Sequence, residues 1–380
     1  MHLNQQKRFA PALLIAALAL FICTIGFLLA PHALAQKIKQ LPPPPRGPRY
    51  KPKPTPTPEY EIVRITSNLV MVPVSVTDTQ GQPVLGLQPS DFRIEEDGRA
   101  QEIAQLGDPE QVPLDIALLI DVSSSVSERF AFEEQAATRF LKQVLRPTDR
   151  ATIYAIDRTP RLEQTRTTSE IATAKLLTIK AASGPSPTAF YDTVMEAARY
   201  LSTNTPEARR RVIVAISDGE DNFSNSVRDS AVAAYKASQS EDGTSAASRQ
   251  RIRTASETAL LAGHRQAQAE MLNVVQQANA VFYSINPSGS SIRLNPMSTR
   301  AQDAMQRLGV ATGGSAFLPD TLSSLDMVFN RIASELRSQY LLQYYSNNQT
   351  GSRTFRRIVV SSPNSGLRVR AREGYYPKAK

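Results

Sequence analysis

Five oxygen-bearing residues, in three separate stretches, have the types and spacing to hold a hard metal ion. The first stretch is Asp121-Val122-Ser123-Ser124-Ser125. The second is Gly184-Pro185-Ser186-Pro187-Thr188, and the third is Ile216-Ser217-Asp218-Gly219. In Asp121-x-Ser123-x-Ser125, alternate residues of an extended turn can aim their oxygens at one point. Two carboxylates (Asp121, Asp218) and three hydroxyls (Ser123, Ser125, Thr188) are hard ligands that suit Mg²⁺, Mn²⁺ or Ca²⁺ and not a soft metal. Mg²⁺ commonly keeps waters and takes one or two protein carboxylates. Neutral hydroxyls leave the ion much of its charge, and an open position then attracts an acidic side chain from outside. A plainer reading has Ser123 and Ser125 capping the next helix and Asp218 in a turn with Gly219. Asp-x-Ser-x-Ser alone is weak, but three pieces in order, two directly after apolar runs, favour the metal.

The elements that must position these residues are legible between about residues 114 and 336. Residues 116–120 form a continuous apolar run, as a strand covered on both faces requires. Helical spacing follows in Phe130, Ala137, Phe140, Leu141 and Val144. Further strands are predicted at 151–156, 212–216, 281–285 and 316–318, with helices at 191–201, 301–308 and 325–336. This alternation predicts an α/β fold, a doubly wound, mostly parallel sheet with helices on both faces. Loops at the carboxyl ends of its strands would converge at one edge. The segment 223–271 is rich in Ala, Ser, Gln, Arg and Glu and poor in aliphatic residues. It reads as an insertion of solvent-exposed helices, or a partly disordered one.

On either side the period changes to two. Val70, Val72, Val74 and Val76 share one face of a strand, with Met71, Pro73 and Ser75 opposite; Pro73 cannot donate to a ladder, which predicts an edge strand. Phe92 and Ile94 begin another strand, and Asp97-Gly98 marks a hairpin. Beyond Ser338, strands are predicted at 340–345, 355–360 and 367–372. Arg368, Arg370 and Arg372 share one face of the last, read as a solvated row or an anionic-surface contact. Strands this few make a thin sheet alone, so residues 61–110 and 339–377 are expected to pair into one small β domain around the α/β domain of 112–338.

The three-part constellation resembles the von Willebrand factor A domain and its metal-ion-dependent adhesion site, an Asp-x-Ser-x-Ser motif with a later Thr and a later Asp. The flanking runs Val-Pro-Val-Ser-Val-Thr-Asp, Asp-Phe-Arg-Ile-Glu-Glu-Asp-Gly and Gly-Leu-Arg-Val-Arg-Ala-Arg-Glu-Gly-Tyr-Tyr look like a bacterial exported group of such proteins. The resemblance implies that Ser123, Ser125 and Thr188 coordinate Mg²⁺ or Mn²⁺ directly. Asp121 and Asp218 would act directly or through water, and a carboxylate from a protein ligand would complete the shell.

The net charge of +9 does not point to nucleic acid once it is located. Residues 1–58 hold eight Lys or Arg and no acid; without them, 36 basic residues of the 44 face 35 acidic ones. A nucleic-acid binder would carry its surplus on the folded domain. Lys7-Arg8, the apolar stretch 9–30 and Ala33-Leu34-Ala35 read as an export signal, residues 1–35, cleaved before Gln36. Retention of that stretch would make it a membrane anchor. Residues 36–60 are a basic, Pro-rich tether. Export implies periplasm, cell surface or extracellular space.

Cys23 lies inside the signal, so the mature chain has neither a disulfide framework nor a thiolate site. Its one histidine is His264, read as a surface residue. No Gly-x-Ser-x-Gly elbow, His cluster or phosphate loop is present. These features predict a non-enzymatic module that binds a protein partner through metal. The alternative is a passive envelope protein that self-associates, with metal only stabilising it.

Overall fold

The structure, a computed structural model, describes residues 69–123, 130–184, 186–239, 245–289, 295–321, 324–348 and 353–377. The predicted signal, the tether, Ser124 and Ser125 lie outside the described residues.

The described chain opens with β1 (Leu69–Thr77), β2 (Arg93–Glu96), β3 (Arg99–Gln101) and β4 (Ile103–Gly107). It then alternates through β5 (Leu114–Asp121), α1 (Phe130–Val144), β6 (Arg150–Ile156), β7 (Arg161–Thr167), α2 (Ser169–Leu176) and α3 (Phe190–Asn204). Next come β8 (Arg210–Ile216), α4 (Asn225–Gln239), α5 (Ala246–Gln277), β9 (Ala280–Ile285), α6 (Pro296–Thr312), β10 (Ser315–Phe317) and α7 (Leu325–Ser338). The chain closes with β11 (Tyr340–Tyr345), β12 (Arg356–Ser361), β13 (Arg368–Ala371) and β14 (Gly374–Tyr375).

The central sheet runs β10-β9-β8-β5-β6-β7, parallel except for β7, which is antiparallel to β6. This is the predicted doubly wound fold. Apolar residues of its inner strands divide between two cores. Ile116, Leu118 and Ile120 of β5 pack with α1, α2 and α7. Ala117 and Leu119 pack with α3, α5 and α6 on the other face. A strand covered on both faces packs apolar side chains on each, which explains the apolar runs. Phe140 of α1 stacks on Phe329 of α7, ring centroids 4.9 Å apart.

Periodicity missed β7 and α2. The residues of β7, Arg-Leu-Glu-Gln-Thr-Arg-Thr, are exposed or half-buried throughout, because an outermost strand can be polar on both faces. The stretch read as an insertion folds into α4 and α5. They approach closely at Gly263, where a Cβ would lie 2.3 Å from Ser230 Oγ. The last turns of α5 leave the solvent-exposed pattern, and Met271 and Val275 enter the core.

The flanking strands form two further sheets, β13-β1-β11-β4 and β14-β12-β2-β3, each drawing strands from both ends of the described chain. They share one core of Val70, Val72, Val74, Ile94, Leu342, Tyr344 and Ile358, among others. In the β2–β3 turn, Asp97 (φ 50°) and Gly98 (φ 76°) both take the left-handed conformation that a two-residue hairpin needs. Pro73 does not mark an edge. β1 lies inside its sheet, but β11 pairs with residues 69–74 and β13 with residues 74–77. Pro73 therefore has a ladder neighbour on one side only, and its missing N–H breaks no second ladder.

Arg370 and Arg372 of the Arg row form neither a solvated face nor an anionic-surface contact. Arg370 donates to Ser315 Oγ at 2.5 Å and pairs with Glu335, while Arg372 donates to Asn279 Oδ1 at 2.6 Å and to the Met71 carbonyl at 2.9 Å. Only Arg368 is exposed. Glu335 Oε1 also accepts from Ser75 Oγ (3.0 Å) and Tyr283 OH (2.5 Å). One carboxylate on α7 thus ties together β1, β9 and β13, joining the β13-β1-β11-β4 sheet to the α/β core.

Candidate metal centre

Asp121 ends β5, level with Ile156 of β6, while Ile120 is level with Ile216 of β8. It stands at the carboxyl edge between two neighbouring strand ends and is fully buried. Its Oδ1 accepts the Ser123 N–H at 2.9 Å, and its Oδ2 accepts the Ser217 hydroxyl at 2.6 Å. Among the described residues no Lys or Arg pairs with it. Burial pushes its pKa above the usual carboxylate value, the bonds from Ser217 and Ser123 pull the other way, and nearby Asp157 pushes it up again.

The loop after β8 is shaped around that carboxylate. Ser217 Oγ accepts the Gly219 N–H at 2.9 Å while donating to Asp121, and Asp218 Oδ1 accepts the Glu220 N–H at 3.0 Å. Gly219 is left-handed (φ 74°), a conformation that favours glycine, and a Cβ there would also press on the end of the Met305 side chain at 2.8 Å.

Thr188, buried just before α3, is clasped by the same loop. Its N–H donates to Asn222 Oδ1 at 2.7 Å, and its carbonyl accepts the N–H groups of Asn222 (3.0 Å) and Phe223 (3.1 Å). Asp221 Oδ2 accepts the Tyr191 N–H at 2.8 Å in the first turn of α3, and Ala189, which follows Thr188, donates its N–H to the Asp157 carbonyl at 2.9 Å.

The structure therefore brings Asp121, Ser123, Thr188 and Asp218 to one edge through hydrogen bonds linking the three loops. Ser125 lies outside the described residues. Ser217, Asp221 and Asn222 were missed. All three flank Asp218 in Ser217-Asp218-Gly219-Glu220-Asp221-Asn222, but their roles depend on residues distant in sequence.

The donor set fits a hard cation. Burying a carboxylate costs several kcal/mol unless positive charge compensates it, and Asp121 has only neutral donors around it. Among the described residues no group of three or more His, Cys, Asp or Glu is gathered to hold a metal, so a histidine- or thiolate-rich centre has no donors here.

Residues 116–220 match the family model described as the von Willebrand factor type A domain. Among curated proteins the chain finds no match. Solved structures of similar course include an aerotolerance-related membrane protein from Bacteroides fragilis, at 15% identity and TM-score 0.37, covering 59% of this chain and 98% of that one. The vWF domain of the type V pili tip protein Mfa5 from Porphyromonas gingivalis matches at 14% identity and TM-score 0.37, covering 59% of this chain and 94% of that one. Proximal thread matrix protein 1 from the mussel byssus, with a zinc-occupied MIDAS motif, matches at 11% identity and TM-score 0.38, covering 60% of this chain and 47% of that one. Identities and TM-scores this low carry nothing of those proteins' binding over to this chain.

Proposed function

We propose that this is an exported, non-enzymatic module that grips an acidic group of a protein partner through one divalent ion, Mg²⁺ or Mn²⁺, held by Asp121, Ser123, Ser125, Thr188 and Asp218. One observation carries the reading: a fully buried carboxylate at the convergent edge of the sheet, compensated by no cation among the described residues. When bound, the ion would supply a positive centre with room for an outside carboxylate. The chain's own part is orientation. Ser217 and the Ser123 N–H hold the Asp121 carboxylate, and Asn222 holds the backbone at Thr188. For the non-enzymatic part, His264, the one histidine beyond residue 35, is buried against Tyr191 and is not a surface residue as predicted; Tyr191 OH lies 3.3 Å from its Nδ1.

Export rests on the sequence of residues 1–35; no helix among the described residues is long and apolar enough to cross a membrane. N-terminal sequencing of the exported protein is expected to begin at Gln36. Recovery of the intact chain in the membrane would make the segment an anchor.

The test of the site is calorimetric titration of Mg²⁺ and Mn²⁺ into the metal-stripped full chain and its Asp121→Ala variant. One saturable site, lost in the variant, is expected. Absence of binding in the wild type would overturn the metal reading and favour the passive, self-associating one, which light scattering with and without chelator would then measure.

A further inference from the structure

The rim of the metal edge carries two arginines held in an unusual way. Arg158 follows Asp157 just beyond the end of β6, and Arg228 lies in the first turn of α4. Both guanidinium groups sit over the ring of Phe223, 5.2 Å and 5.5 Å from its centroid. The charged carbons are therefore no more than about 11 Å apart, the sum of the two ring distances. Phe223 is the residue whose N–H donates to the Thr188 carbonyl, which places the pair beside the proposed ligand set.

Both arginines are exposed, Phe223 is half-buried, and neither arginine forms a salt bridge among the described residues. Among the described residues the Arg228 side chain donates to Asn225 Oδ1, at 2.8 Å. Carboxylates close by in the fold are engaged elsewhere: Asp157 with Ser186 and Arg161, Asp192 with Asn225, and Glu220 with Ser298. Stacking occupies the face of a guanidinium and leaves its N–H edge available for a carboxylate. Two like charges gathered on one ring also repel, and an arriving polyanion relieves that repulsion.

We propose that Arg158, Phe223 and Arg228 form an acidic-peptide docking rim, so that the ligand is a segment with further carboxylates beside the one directed at the metal. This rests on the metal-dependent reading above. Side chains on one face of an extended peptide recur about every 7 Å, so acids two residues either side of a central one fall within reach of a pair spaced this way. Recognition of acidic motifs by clustered arginine is a general mode of peptide binding.

The test uses two fluorescent peptides and the full chain loaded with Mn²⁺. One peptide carries a single Asp among Gly and Ser; the other adds two Glu on each side of that Asp. Anisotropy titration is expected to show the acid-rich peptide binding about fivefold tighter to the wild type. The Arg158→Gln/Arg228→Gln variant is expected to reduce this preference below about twofold while the single-Asp peptide still binds. Equal affinity of the wild type for both peptides, or an undiminished preference in the double variant, would overturn the rim proposal alone. Failure of both peptides to bind a chain that titrates with Mn²⁺ would overturn it together with the carboxylate-gripping function. A heparin fragment that binds equally well in chelator and is lost in the double variant would assign the arginines to a polysaccharide and overturn the peptide reading.

Discussion

Asp115 and Asp121 stand at opposite ends of the same buried strand, and among the described residues only Asp115 is paired with arginine. Asp115 accepts from Arg166 Nε and Arg209 Nε, both at 2.5 Å, and from Thr205 Oγ1 at 3.0 Å. Asp121 is as deeply buried and meets a backbone N–H and a serine hydroxyl. The amino end of the strand is thus neutralised within the fold, and under the proposed metal reading a cation from outside would neutralise the carboxyl end.

Removal of the two carboxylates should differ in cost and in metal dependence. Asp115→Ala strands two arginines in a low-dielectric setting and is expected to cost about 3–5 kcal/mol in urea unfolding, with or without metal. Asp121→Ala removes an uncompensated charge and should cost less in chelator than Asp115→Ala does. Its cost should grow on adding Mn²⁺, because only the wild type gains binding energy. Equal costs for the two variants in chelator would refute the contrast.

Ser217→Ala removes the donor to Asp121 Oδ2 and the acceptor for the Gly219 N–H. A loss of about 1–2 kcal/mol in stability is expected. Groups that orient metal ligands typically matter by about tenfold or more in affinity, so Mn²⁺ titration of this variant should weaken by about that factor. Unchanged Mn²⁺ affinity would show that Ser217 serves packing alone.

Glu335 is the shared acceptor for Ser75, Tyr283 and Arg370, and its removal leaves Arg370 without its carboxylate. Glu335→Ala is expected to destabilise by roughly 3 kcal/mol, with Glu335→Gln costing less because it keeps an acceptor. Thermal unfolding should also become less cooperative, as the β13-β1-β11-β4 sheet loses its tie to α7. A single transition at an unshifted temperature would argue against this.

His264 supplies a pH dependence remote from the carboxylates. Burial lowers its pKa from the ordinary 6.5, with Arg300 adding to the shift. The folded state therefore prefers the neutral ring. This contribution to stability is complete above the unfolded pKa and is lost as pH falls through the lower folded one. Relative to His264→Gln, the wild type should lose unfolding free energy as pH drops below about 6.5. A difference between the two that stays flat with pH would exclude the effect.

Much of this was legible because local chemistry left marks in the chain. Strands covered on both faces wrote unbroken apolar runs, such as residues 116–120, and the Asp97-Gly98 turn announced its hairpin. The Asp121, Thr188 and Asp218 pieces could be assigned to one edge because parallel strands deliver their carboxyl ends together. β7 stayed hidden because its polar residues carry no period. His264 looked exposed because its environment comes from Tyr191, far away in the chain.

The sequence by itself determined the doubly wound architecture, the pairing of the two β flanks and the hard-oxygen character of the candidate site, since each follows from periodicity or ligand type. Tertiary structure alone decided which charges are satisfied. Arg370 in β13 and Arg372 just beyond it alternate in sequence as a solvated row would, yet they turn inward because Glu335 and Asn279 wait there. Pro73 sits inside a sheet because its two neighbours take opposite halves of β1. Arg158 and Arg228 meet only over a ring that neither adjoins in sequence. Partners brought together by folding leave no local pattern, because the energy of such a contact depends on position in space and not on spacing along the chain.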